Sequence, residues 1–127
     1  MFPLLRPARY RCRNASEWGY AYVDIVESLE ACHAYAHRHR RMTNQQQVDA
    51  FSRVTGQAAA FRRDLMSAVR DRRLPSNRIQ LPRGQYVNAH VALADVYDRI
   101  QAVYRLVGPL MLQAGAPPVQ GPLFNFN

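Results

Sequence analysis

Residues 16–41, SEWGYAYVDIVESLEACHAYAHRHRR, decide the fold class of this 127-residue chain. Within them Trp18, Tyr22, Ile25, Leu29, Cys32 and Ala36 follow at alternating steps of four and three, which draws one apolar stripe along an α-helix. Ser16 or Asn14 can cap its start. The acids of its first turns suit the positive end of the helix dipole, and Arg38, Arg40 and Arg41 suit the negative end.

Outward from that helix the pattern repeats. Thr43 and Gln46 have the spacing of a capping box, and a second helix is expected from there to about Arg73, with Phe51, Val54, Ala58, Phe61, Leu65 and Ala68 as its apolar face. Gly56 inside it costs about 1 kcal/mol relative to alanine and marks close packing if it is not a break. The connection to the first helix is so short that the two should form an antiparallel hairpin. Residues 74–85 hold Pro75, Pro82 and Gly84 and read as a linker, with a brief extended stretch at 78–81. A third helix is predicted from about Tyr86, its stripe being His90, Leu93, Tyr97, Ile100, Tyr104, Val107 and Met111, with Val96, Val103 and Leu110 broadening the apolar face and a kink or an end at Pro109. The expected fold is therefore all-α: a three-helix bundle over 16–115, an extended basic arm over 1–15 and a proline-rich tail over 116–127. With 48 % apolar residues and this periodicity, the chain is not globally disordered.

The cations are unusual. Seventeen Lys plus Arg are all arginine, against nine acids, for a net charge of +8. Guanidinium is planar, always protonated and weakly hydrated, and it grips phosphate or carboxylate with paired hydrogen bonds. Coding bias in a GC-rich genome, or loss of lysine to evade attachment chemistry, would give the same composition. The charge is segregated: residues 1–13 carry four arginines and no acid, residues 14–30 carry Glu17, Asp24, Glu27 and Glu30 and no base, and residues 65–83 carry five arginines against Asp71. Nonspecific attraction to polyanions is expected.

The candidate nucleic-acid contacts follow from this distribution. Pro3 and Pro7 disfavour helix in the arm, where Arg6, Arg9, Arg11 and Arg13 surround Tyr10, so phosphates can be tracked while the ring offers a stacking face. Arg38, Arg40 and Arg41 close the first helix, and Arg62, Arg70, Arg73 and Arg78 form a second basic surface towards the opposite end of the hairpin; one long groove and two separate patches are both consistent with the sequence. Phe124 and Phe126, two apart in an extended tail, can enter pockets on an adjacent subunit or pack within the chain. His33 and His37 have the spacing of a helical metal pair, but no acid adjoins them, and no metal or other cofactor is expected.

Two cysteines do not make a secreted disulfide framework, and no run is long and apolar enough for a membrane span. The acid-free first thirteen residues share the charge of a mitochondrial transit peptide. Serine-elbow, nucleotide-loop and paired-carboxylate patterns are missing, so no catalytic residue is assigned and no enzyme is expected.

At the level of organisation, an arginine-bearing arm (Arg6 to Arg13) ahead of a helical bundle resembles the all-helical coat or nucleocapsid proteins of filamentous viruses, some of which wrap DNA with a helical arm. The resemblance implies a structural subunit of a virion that binds nucleic acid, DNA or RNA, without regard to sequence and packs on other copies of itself or a paralogous subunit. It carries no residue roles. The chain departs from the archaeal members in having no lysine and fifteen Asn plus Gln, a composition better suited to a mesophilic virus. The alternative expectation is an accessory subunit of a mitochondrial or ribosomal complex, located in the matrix or cytoplasm, whose arginines meet acidic proteins or ribosomal RNA.

Overall fold

Asn14 starts the first helix. In the computed structural model, which describes residues 10–39 and 45–113, its side-chain oxygen accepts the Glu17 N–H at 3.0 Å and the Ser16 hydroxyl at 2.8 Å, and α1 runs over Ala15–His39. The stripe read from the sequence is the buried face: Trp18, Ile25, Leu29, Cys32 and Ala36 are each about 1 % exposed or less, and Tyr22 is half-buried.

The second helix, α2, spans Gln45–Arg70, and all six residues of its expected stripe are buried. It stops short of Arg73 because the chain turns at Arg72, which takes the left-handed conformation (φ 56°). The Arg73 N–H then donates to the Ala68 carbonyl at 2.9 Å and the Arg72 N–H to the Val69 carbonyl at 3.1 Å, the bonding of a Schellman cap usually made with glycine. Gly56 is exposed, and a Cβ added there would meet nothing within 4 Å, so it marks no close packing.

The linker is the main correction to the all-α expectation. After a tight turn at Pro75–Asn77, residues Arg78–Gln80 (β1) and Tyr86–Asn88 (β2) pair as an antiparallel two-stranded sheet, with Arg78 opposite Asn88, Ile79 opposite Val87 and Gln80 opposite Tyr86. The Gly84 N–H closes the turn onto the Leu81 carbonyl at 2.8 Å, with Pro82 second in the turn and Gly84 at φ 89°. The fold is thus mostly helical, with three helices and a small sheet. Tyr86 belongs to a strand, and the third helix, α3, begins at Ala89, where the Asn88 side chain accepts the His90 N–H at 2.8 Å. Pro109 lies inside α3, which continues to Gln113.

The core face of α3 is the expected one at Leu93, Val96, Ile100, Val103, Tyr104 and Val107, but not at His90 and Tyr97. Ala89, Ala92, Val96, Ile100, Val103 and Val107 are buried, whereas His90 and Tyr97 are exposed. Contacts fix the helix directions. Trp18 and Tyr22 meet Phe61 while Tyr35 meets Phe51, so α1 and α2 are antiparallel. Tyr22 bonds to Asp95 and Glu30 to Arg99, so α1 and α3 run parallel. The hairpin consequently joins α2 to α3 at one end of the bundle, where it packs on α1.

That packing requires glycine. A Cβ on Gly19 of α1 would sit 1.7 Å from the Gln80 carbonyl oxygen of β1. Gly19→Ala is expected to destabilise the fold by about 1–3 kcal/mol, since backbone must move. Gly56→Ala should instead stabilise it by up to about 1 kcal/mol. Thermal denaturation of the two variants beside the parent measures both; equal effects would show that the hairpin does not depend on this approach.

Candidate nucleic-acid interface

The hairpin end gathers arginines from three separate segments. Arg11 and Arg13 precede α1, Arg63, Arg70, Arg72 and Arg73 lie on or just after the last turns of α2, and Arg78 and Arg83 belong to the hairpin; all eight are exposed. The acids at this end are Glu17, Asp64 and Asp71. Partly buried Asp64 takes two bonds from Arg63, at 3.1 and 3.3 Å, whereas Glu17 and Asp71 hold their guanidinium groups loosely. Arg13 Nε lies 3.4 Å from Glu17, Arg70 Nε 3.4 Å from Asp71 and Arg73 Nη2 3.7 Å from the same Asp71, all between exposed side chains. Pairs of this kind contribute about 0–1 kcal/mol, so a phosphate can displace the carboxylate at small cost. The end of α2 is also the negative pole of its dipole, which suits Arg70 and its neighbours.

Three sequence-assigned residues behave differently. Tyr10 was expected to present a stacking face, but it is only 7 % exposed. Its ring stands edge-on to Phe61 at 5.5 Å, its backbone N–H donates to Asp64 at 2.8 Å and its hydroxyl to Gln57 at 3.4 Å. The ring is an anchor that ties the inner part of the arm to α2. Asp64 is the hub of that anchor, since it also accepts from Arg63 Nε at 3.1 Å. Arg62 likewise turns away from solvent: its Nε donates to the Leu93 carbonyl at 2.8 Å and its guanidinium lies over the Tyr97 ring at 5.2 Å, linking α2 to α3. Burial draws its pKa below the ordinary arginine value, and Tyr97 opposes that shift. Arg62 is therefore a structural side chain in this fold. Arg78 stays exposed and adds something the sequence reading lacked, a partner ring: its guanidinium lies over Tyr86 at 5.0 Å.

The other assigned residues divide. Arg38 is exposed near the far end of α1, about 35 Å from the helix start at 1.5 Å per residue. Asp24, Glu27 and Glu30 of α1 and Asp95 of α3 lie between Arg38 and the hairpin end. Arg6, Arg9, Arg40, Arg41, Phe124 and Phe126 lie outside the described residues. His33 and His37 are exposed with their rings nearly parallel and 6.4 Å apart. Among the described residues no group of three or more His, Cys, Asp and Glu side chains could hold a metal ion. No described helix is long and apolar enough to cross a membrane.

Two clefts open on the surface. One of about 450 Å³ lies at the hairpin end, between Tyr10, Arg11, Cys12, Asp64, Ser67, Asp71 and Arg73. The other, about 380 Å³, lies between α1 and α3 around Leu29, His33, Ala102 and Val103. It is bordered by a buried-edge network in which Tyr22 donates to Asp95, and Arg99 donates to Asp95 at 3.0 Å and to Glu30 at 3.2 Å. Burial and then the bond to Asp95 push the Tyr22 phenol above its ordinary range. Burial alone pushes the Cys32 thiol up to about 12.

Truncating Arg62 to alanine is expected to cost about 1–3 kcal/mol of stability by removing a charged hydrogen bond, with the loss read from urea denaturation. In alkali the unfolded chain ionises its thiol first, so the contribution of Cys32 to stability should be fully present below pH 9 and be lost as the pH rises towards 12. Cys32→Ala should make the alkaline fall in stability shallower, and a thiol reagent should label half-buried Cys12 well before Cys32 in the native protein. Compared with known proteins, the chain matches no family model, no curated protein and no solved structure.

Proposed function

We propose that this chain is a structural, non-catalytic subunit of a nucleic-acid-containing assembly, such as a viral coat or nucleocapsid protein, and that it binds phosphates through the arginines of its hairpin end. The observation that carries this reading is the convergence of Arg11, Arg13, Arg63, Arg70, Arg72, Arg73, Arg78 and Arg83, drawn from three segments, on one end of the bundle with three acids among them. Guanidinium groups on that surface neutralise phosphate and release its counterions, a force that depends on charge density and not on base sequence. In the assembly the outer arm, with Arg6 and Arg9, continues the same charge along the strand, and Phe124 and Phe126 pack on a neighbouring copy. Arg38, Arg40 and Arg41 give each subunit a second basic end, which can meet the next turn of a wrapped strand.

Fluorescence anisotropy with a labelled duplex of random sequence tests the charge mechanism. If about six arginines contact duplex phosphates, the logarithm of the binding constant should fall against the logarithm of salt with a slope near −5. Arg72→Ala with Arg73→Ala should flatten the slope by about two, whereas Arg62→Met should lower stability and leave the slope unchanged. A flat salt response in the parent protein rejects the mechanism. Sedimentation at rising concentration tests the structural role: regular oligomers or coated nucleic acid are expected, and a persistent monomer with and without nucleic acid counts against it.

A further inference from the structure

We infer that the outer face of the hairpin is a base-stacking platform, so that the polyanion held at this end is single-stranded; the inference rests on the proposed nucleic-acid binding and specifies its ligand. The register decides what that face carries. Side chains alternate across a strand, so Arg78, Gln80, Tyr86 and Asn88 share one side, and Ile79 and Val87 share the other. Ile79 is fully buried and Val87 half-buried, which assigns the second side to the core and the first to solvent.

On the solvent side Tyr86 is 55 % exposed, an unusual position for an aromatic ring on so small a sheet. Burial does not account for it. The Arg78 guanidinium lies over the ring at 5.0 Å, so one ring face is covered by a cation while more than half of the side chain's surface meets water. A base stacked on the remaining face would complete a layered set of base, ring and guanidinium, in which the cation–ring attraction already holds the ring in place. Asn88 uses its side-chain oxygen to accept the His90 N–H at the α3 cap, and Gln80 is half-buried, which leaves Tyr86 as the stacking element of the face. Arg83 in the adjoining turn and Arg72 and Arg73 at the end of α2 supply cations for the flanking phosphates. A duplex cannot use the ring, because its bases are stacked on each other and present edges in the grooves; an unpaired strand presents whole base faces.

The test compares four probes with the full chain at low salt: an oligothymidylate of about 15 nucleotides, an abasic strand of equal length, a duplex of equal length and heparin. The oligothymidylate should bind tightest. Tyr86→Ala should weaken it by about five- to a hundredfold, bringing it close to the abasic strand, and should leave duplex affinity within about twofold. Tyr86→Phe, which keeps the ring, should bind as the parent does, and circular dichroism should show unchanged helix content in both variants. Equal binding of the thymidylate and abasic strands, or a Tyr86→Ala variant that binds thymidylate like the parent, overturns the platform and leaves phosphate binding standing. Failure of all four probes to bind overturns the platform together with the proposed function.

Discussion

The approach of β1 to α1 at Gly19 is the constraint on which the arrangement of this molecule depends. A helix normally keeps a neighbouring backbone at the distance of its side chains, yet here the Gln80 carbonyl occupies the space where a Cβ would stand. Because that space is open, β1 lies close against the first helix while β2 meets α3, and Ile79 is completely buried. The opposite face of the sheet, with Arg78 and Tyr86, is thereby turned outward. A hairpin lifted by one methyl group would lose its apolar support on α1, and two strands of three residues have no independent stability.

Phe61 performs the corresponding task for the segment ahead of α1. Tyr10 and Trp18 meet it edge-on and Tyr22 stacks on it, so residues far apart in the chain converge on one ring. Offset and edge-to-face pairs of this kind each add about 0.5–1.5 kcal/mol beyond the burial of area. The consequence reaches the surface: with Tyr10 held inside and its N–H bonded to Asp64, Arg11 and Arg13 are placed near the end of α2. The cation cluster is therefore a product of the apolar core, because the core sets where each charged segment emerges.

The same chemistry separates structural arginines from available ones. Arg62 and Arg73 lie on or just past one helix, but Arg62 faces α3 and bonds a carbonyl and a ring, whereas Arg73 faces water and a carboxylate. Arg99 is held similarly between Asp95 and Glu30. Counting arginines overstates the charge that a ligand meets; burial and partners determine which guanidinium groups can exchange one anion for another.

The sequence by itself determined the three helices, their order and the buried faces of the first two, because a stripe at steps of three and four repeated over twenty residues leaves little freedom about which side turns inward. Asn14 was legible as one of two candidate caps, Ser16 being the other, and the turn of the linker was legible in Pro82 and Gly84. The extended stretch at 78–81 was legible as well and holds the first strand, but its partner was not, since three residues are too short to establish an alternation and Tyr86 to Asn88 fit the start of a helix equally well. His90 and Tyr97 of the third stripe lie outside the core because α3 carries its stripe on a wide arc, and only the positions of α1 and α2 select which part of it is covered. Tertiary structure alone decided that Tyr10 is an anchor, that Arg62 is a brace and that Gly19 is a contact point. Each of those roles depends on an atom from a distant segment, Asp64, Leu93 or Gln80, and no local pattern records where a distant segment will pass.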